Sequence, residues 1–163
     1  MNNNKGKPNP VFAQAGEVSY QPSTQQMEQV KSIVQTCLTC LPEIQAIYFF
    51  GSWGTAEQNK DSDLDLALLL APQEAKALGN LYASKLHKEL ESLLKLGIDL
   101  INLRETNTVL QKEIIADVRR VYCADVYAAD EFEMLTMSYY QKLNDERAAV
   151  LQSFYKTKRA YNV

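Results

Sequence analysis

The stretch Phe50-Gly51-Ser52-Trp53-Gly54-Thr55-Ala56-Glu57-Gln58-Asn59-Lys60-Asp61-Ser62-Asp63-Leu64-Asp65 decides how this chain is read. Residues 44–50 before it are β-branched and aromatic and read as a first strand, stopped by Gly51. Residues 63–70 form a second strand, nearly continuous in leucine after its start, as a central strand covered on both faces would be. Gly51 lets the chain turn sharply with its backbone N–H groups exposed, and Ser52 adds a hydroxyl; together they can cradle phosphate oxygens, although strand-Gly-Ser is also an ordinary turn. Asp63 and Asp65 lie two apart, so in an extended chain they point to one face with Cα atoms about 7 Å apart. Such a pair on a leucine strand is costly unless its charge is offset, which a hard divalent cation does. The alternative is a solvated strand start in which Asp61, Ser62 and Asp63 belong to a polar loop.

Asp99 favours the first reading. It is the one acid in Gly97-Ile98-Asp99-Leu100-Ile101-Asn102-Leu103, a third strand over residues 98–103, where an unpaired charge would be expensive. Beside the other two it would serve as a metal-bridging base near an attacking hydroxyl.

Outward from this centre, Ser23 and Gln26 make a capping box for a helix carrying Met27, Val30, Val34, Cys37, Leu38 and Leu41, ended by Pro42. Pro72 suits a first helical position, and Leu78, Leu81, Tyr82, Leu86, Leu90, Leu93 and Leu94 mark one long amphipathic helix closed by Gly97. From Asn107 onward the pattern is helical only: Val109, Leu110, Ile114, Val118 and Val121, then a longer segment from about residue 130 to 155 with Phe132, Leu135, Tyr139, Leu143, Val150 and Phe154. Lys142, Asp145, Glu146 and Arg147 read as its solvated face. Residues 1–22, rich in Asn, Pro, Lys and Gly, read as a mobile arm. The expectation is an α+β fold: one domain over 23–163, with a core at 44–103 and a helical part at 107–160.

With 163 residues, 46% of them hydrophobic, the chain can bury one core. A net charge of -3 gives no basic field, so no direct binding to nucleic acid is expected. No run approaches a membrane span, the longest being Leu66-Ala67-Leu68-Leu69-Leu70-Ala71, and the polar Met1 to Pro10 lacks the apolar core of a secretory signal; a cytoplasmic location is expected. Cys37 and Cys40 form a C-x-x-C that could be a redox pair or half of a zinc site. They lie on an apolar helical stripe, however, with only Cys123 and His87 as further soft ligands, so an ordinary core or surface role is preferred. His87, among helix formers, reads as a solvated residue.

Gly51-Ser52, ten intervening residues and Asp63-Leu64-Asp65 match the G-S-x10-D-x-D signature, and the chain thereby resembles the DNA polymerase beta-like nucleotidyltransferase superfamily. Gly97-Ile98-Asp99-Leu100-Ile101 looks like its third-carboxylate strand. The absence of an added binding domain is similar to the minimal nucleotidyltransferases, many of them antitoxin halves of HEPN-MNT toxin–antitoxin pairs. The resemblance implies a small mixed sheet flanked by helices, ATP as substrate and two Mg²⁺ ions. It implies that Ser52 and the Gly51 turn hold the terminal phosphates, that Asp63 and Asp65 bind both ions, and that Asp99 binds the catalytic one and helps deprotonate the acceptor. It further implies that AMP is transferred to a tyrosine of a partner HEPN ribonuclease. The chain lacks that partner's Arg-x(4-6)-His-x-Tyr motif, His87 being followed by Lys88-Glu89, so it would be the antitoxin. Many relatives continue Gly-Ser with Arg-Ala-Arg-Gly where this chain has Trp53-Gly54-Thr55-Ala56; Lys60 and Arg104 are then candidates to neutralise the triphosphate, or ordinary surface charges. Two alternatives stand beside this: nucleotidylation of a small molecule of the aminoglycoside type, which usually needs an additional domain, and a non-catalytic antitoxin that masks its partner by binding. A DNA polymerase, which grips its template with extensive basic surface, fits poorly.

Overall fold

A computed structural model describes residues 24–59, 62–117 and 119–157. The expected arm, the capping Ser23, Lys60 and Val118 lie outside these residues. Strands β1 (Ala46–Phe50), β2 (Leu64–Leu69), β3 (Ile98–Asn102) and β4 (Arg120–Cys123) form one sheet in the order β3-β2-β1-β4. β1 is antiparallel to β2 and β4, whereas β2 and β3 are parallel. A parallel neighbour cannot be reached by a tight turn. The chain accordingly crosses from β2 to β3 through two helices, α2 (Pro72–Leu78) and α3 (Lys85–Leu94). This is the expected α+β arrangement with a mixed sheet.

Alternation of side chains assigns the two faces. Ile47, Phe49, Leu64, Leu66, Leu68 and Leu100 meet α3 and the earlier helix α1 (Thr24–Cys40), which buries Val30, Ile33, Val34 and Cys37 at helical spacing. Ala46, Tyr48, Ala67 and Leu69 meet Ile114 of α4 (Thr108–Ala116) and Ala129 and Phe132 of α5 (Val126–Thr157). Each fully buried leucine contributes about 1.5–3 kcal/mol of transfer free energy, so cover on both faces explains why β2 is nearly unbroken leucine. Asp63, Asp65 and Asp99 share the α4/α5 face by parity, where that cover ends. Along β2, Ala67 is fully buried, Asp65 is half-buried and Asp63 is exposed.

Several elements differ from the sequence expectations. The single helix expected after Pro72 is two. Gly79, at φ +57, leaves α2 in a conformation that side chains disfavour; Asn80 Oδ1 accepts from the Tyr82 N–H, and Ser84 then caps α3 by accepting from the His87 N–H. α3 is closed by Lys95 in the left-handed region and not by Gly97, which has another role. The region after Asn107 is not helical throughout, because β4 pairs with β1 between α4 and α5. A four-residue strand with three half-buried positions gives too short a period to separate from a helical one. α5 extends over 32 residues, but buries only Ala129, Phe132 and Thr136, all in its first half. No described helix is long and apolar enough to cross a membrane.

Candidate active site

β1 delivers the chain into Gly51 at φ +67, a conformation open to glycine and strained for other residues. Glycine is required there for space as well: a Cβ at Gly51 would collide with the Asp65 carboxylate, and a Cβ at Gly97 would collide with that of Asp63. Two backbone segments therefore press directly against two of the three expected acids. Trp53 anchors the turn from below, buried with its ring edge-on to Phe49 at 5.2 Å. Above it the loop closes on itself, with the Thr55 hydroxyl donating to Ser52 O at 2.7 Å and the Gly54 N–H to Gln58 Oε1 at 2.8 Å. The Ser52 hydroxyl lies 3.3 Å from that of Ser62, which also accepts from the Asn59 N–H.

The parallel ladder sets Asp65 opposite Asp99, and the antiparallel one sets Asp65 opposite Phe50, the residue before Gly51. Neighbouring strands run about 4.8 Å apart, so these two acids are held close by the backbone itself, with Asp63 one same-face step away. Asp63 and Asp99 are exposed. Burial, then the charges of Asp99 and Asp63, push the Asp65 carboxyl above its ordinary value, while Arg119 opposes the shift. Among the described residues, three carboxylates thus crowd this end of the sheet, with Arg119 opposing the shift of Asp65.

The structure brings Asp63, Asp65, Asp99, Gly51 and Ser52 to one place, and it removes Arg104 from the candidates for contact with a triphosphate. Arg104 lies at the opposite end of the sheet, its Nε donating to Leu70 O, Nη2 donating to Gln45 Oε1 at 3.2 Å and its guanidinium stacked over Phe132. His87 is buried and not solvated; Nε2 is 2.9 Å from Ile98 O, so it donates there and ties α3 to the residue before Asp99. Cys37 is buried, its thiol pushed up to about 12 by burial and by Cys40; all three cysteines are free. Cys37 in the core and Cys40 half-buried beside it fit the expected core or surface role.

Two residues near the acids have roles beyond the sequence expectations: Gly97, expected as a helix end and at the head of the third-carboxylate strand, leaves room for Asp63, and Arg119 is not among the expected site residues. Arg119 donates through Nη1 to Trp53 O at 2.7 Å and through Nη2 to Gly51 O, and is held by Asp117. A pair of adjacent arginines ahead of the alternating Val121-Tyr122-Cys123 is the one local signal for it, since its partners in the turn are more than sixty positions away.

Among the described residues no three or more His, Cys, Asp or Glu converge as a ready-made metal cage. The three aspartates instead line one edge, leaving coordination open. That suits a hard cation such as Mg²⁺, which takes one or two carboxylates and completes its shell with water and substrate phosphate. Three carboxylates beside a glycine turn that presents the Ser52 hydroxyl form a geometry that can receive a cation-bound nucleoside triphosphate.

Comparison with known proteins agrees. The family described as "Polymerase beta, Nucleotidyltransferase" matches residues 28–127. The chain is 33% identical over 128 residues to the protein adenylyltransferase MntA of Shewanella oneidensis, covering 78% of this chain and 87% of that protein. Among solved structures it is similar to a chain of a toxin–antitoxin crystal structure with AMP-PNP, at TM-score 0.64 and 31% identity over 77% of this chain and 98% of the other. It is also similar to a chain of the tri-AMPylated Shewanella oneidensis HEPN toxin in complex with MNT antitoxin, at TM-score 0.62 and 30% identity over 80% and 98% of the two.

Proposed function

The chain belongs to the polymerase beta nucleotidyltransferase family, and from that premise we propose that it is an antitoxin that transfers AMP from ATP to a tyrosine hydroxyl of a partner HEPN ribonuclease, silencing it. The observation that carries the proposal is the register of Asp65 against Asp99, with Asp63 beside them and the Gly51 turn in contact. The relatives lend the chemistry: one is named a protein adenylyltransferase, and another is a complex whose HEPN toxin is tri-AMPylated. The domain expected over residues 23–163 acts as one catalytic unit. Three free cysteines are in keeping with the cytoplasm.

The roles follow from charge and position. Backbone N–H groups at Gly51 and the hydroxyl of Ser52 hold the terminal phosphates. Asp63, Asp65 and Asp99 hold two Mg²⁺ ions, and their crowded charge, with Asp65 raised by burial and by its two neighbours, is the fit for such cations. When bound, the ions neutralise phosphate charge and favour in-line displacement. Asp99, exposed at the edge strand, takes the proton of the incoming tyrosine hydroxyl. The tyrosine oxygen bonds to the α-phosphorus as the bond from that phosphorus to the leaving pyrophosphate breaks.

The test is to give the purified chain and its partner ATP labelled in turn at the α- and γ-phosphate. We expect label on a partner tyrosine from the α-position alone. Transfer of γ-label, or none to protein, would contradict the proposal.

A further inference from the structure

Arg119 reaches the site from outside the segments that carry the acids, and an irregularity in the sheet puts it there. β1 and β4 pair as Ala46 with Cys123 and Ile47 with Tyr122, but Tyr48 then pairs with Arg120, leaving Val121 as an extra residue in β4. A one-residue insertion reverses which face the following side chains take. It turns Arg120 onto the α5 face, where Nη1 bonds Asp130 at 2.9 Å and Glu133 at 3.1 Å. It also sets Arg119 alongside the turn, its own carbonyl accepting from the Phe49 N–H at 2.9 Å. Main chain and side chain of one residue thus grip the end of β1 and the turn that follows.

The guanidinium has five N–H donors. Two go to Asp117 Oδ2, one to Trp53 O and one to Gly51 O, so four are committed within the protein. A group so bound is poorly placed to follow a triphosphate, but it can fix the carbonyls of the turn and so orient the N–H groups between them. Trp53 completes the grip from the other side, its ring fixed in the core against Phe49 while Arg119 holds its carbonyl.

We infer that Arg119 is a positioning residue for the reaction: with Asp117 it clamps the turn of residues 51–53 to the start of β4 and fixes where phosphate meets the three carboxylates. The inference rests on the nucleotidyltransferase reading above. It means that a basic residue shaping the phosphate site acts through the backbone and comes from the position just before β4. Its charge also holds Asp65 nearer its ionised form.

Trp53 is the chain's single tryptophan, so its fluorescence reports on the clamped turn without any need for catalysis. The experiment compares wild type, Arg119→Lys and Arg119→Ala by acrylamide quenching of Trp53 and by titration with AMP-PNP and Mg²⁺, with circular dichroism to monitor the fold. Arg119→Ala should leave Trp53 more accessible and weaken nucleotide binding by about tenfold or more, as loss of charge-assisted hydrogen bonds would. Arg119→Lys should restore neither fully, because one ammonium cannot span two carbonyls and a carboxylate. If the alanine variant does not fold, the lysine variant decides: wild-type quenching and affinity would overturn the clamp, and losses in both would support it. Wild type that binds nucleotide, alongside a folded Arg119→Ala that binds it equally well, would overturn only the role of Arg119. Wild type that fails to bind would overturn the proposed function itself.

Discussion

The two ends of the same four-stranded sheet treat polar groups in opposite ways. At the end where β2 leaves the sheet, Arg104 bonds Leu70 O and Gln45 and stacks on Phe132, and the buried Asn102 amide bonds Ala75 O and Gly79 O. The donors there have fixed acceptors inside the fold, although Asn102 Oδ1 is buried without a partner, and such internal pairing is what a structural site requires. At the end where β2 enters, three aspartates share one face, and Asp65 is pushed toward its neutral form by burial and then by the other two. Glycines at 51 and 97 make room for these carboxylates where any side chain would displace them. An arrangement that crowds like charges and still preserves space around them is tolerated when something from outside completes it.

That contrast can be broken most severely at the acids. Replacing Asp63 and Asp65 together by asparagine should lower transfer by on the order of 10³-fold or more while leaving the circular dichroism spectrum unchanged, since it removes cation ligands and relieves repulsion at once. Substantial activity in the double variant would show that these carboxylates are not the working groups. Asp99→Asn should slow transfer by about 10²–10³-fold with nucleotide affinity mostly kept, as expected for loss of a proton acceptor. A titration showing equal losses in binding and rate would remove that division of roles.

At the matched end the same kind of substitution should do the reverse. Arg104→Ala leaves Leu70 O without its donor and should cost about 1–3 kcal/mol of stability by denaturant melts, with transfer per folded molecule unchanged. A loss of turnover in the folded fraction would mean that the two ends are not separate in function.

The smallest effect concerns pH. Because the folded Asp65 carboxyl titrates above the ordinary value of 3.8, the folded state is favoured below that pH and loses the advantage as pH rises through the raised value. Asp65→Asn should therefore melt higher than wild type near neutrality and lose that lead in acid. Millimolar Mg²⁺ should narrow the difference at neutral pH by stabilising only the wild type. A lead that is constant across pH would remove the repulsion from the account.

The sequence made the acid end legible because its signals are local. A strand, a Gly-Ser turn and a D-x-D pair fall within twenty-odd residues, and a lone acid in an apolar strand marks the third carboxylate. What it concealed was decided by distant partners. His87 looks like a solvated helix residue until β3 is placed beside it, with Ile98 O in reach of its ring. Gly97 looks like a helix end until Asp63 occupies the space its side chain would take. β4 escaped because four residues with partial burial carry little period, and Arg119 escaped with it. Lys60 and Arg104 are the cations the sequence offers; the arginine that holds the turn lies 66 positions beyond Trp53.

The central claim is that the unmatched end of the sheet does chemistry on a partner, and stoichiometry tests it most directly. Purified HEPN partner is incubated with a small fraction of an equivalent of this chain, with and without ATP and Mg²⁺, and its intact mass and RNA cleavage are followed together. Turnover predicts that cleavage is lost from the whole pool, only with ATP, as AMP accumulates on the partner. Neutralisation that needs equimolar chain, ignores ATP and survives replacement of both Asp63 and Asp65 would contradict the account.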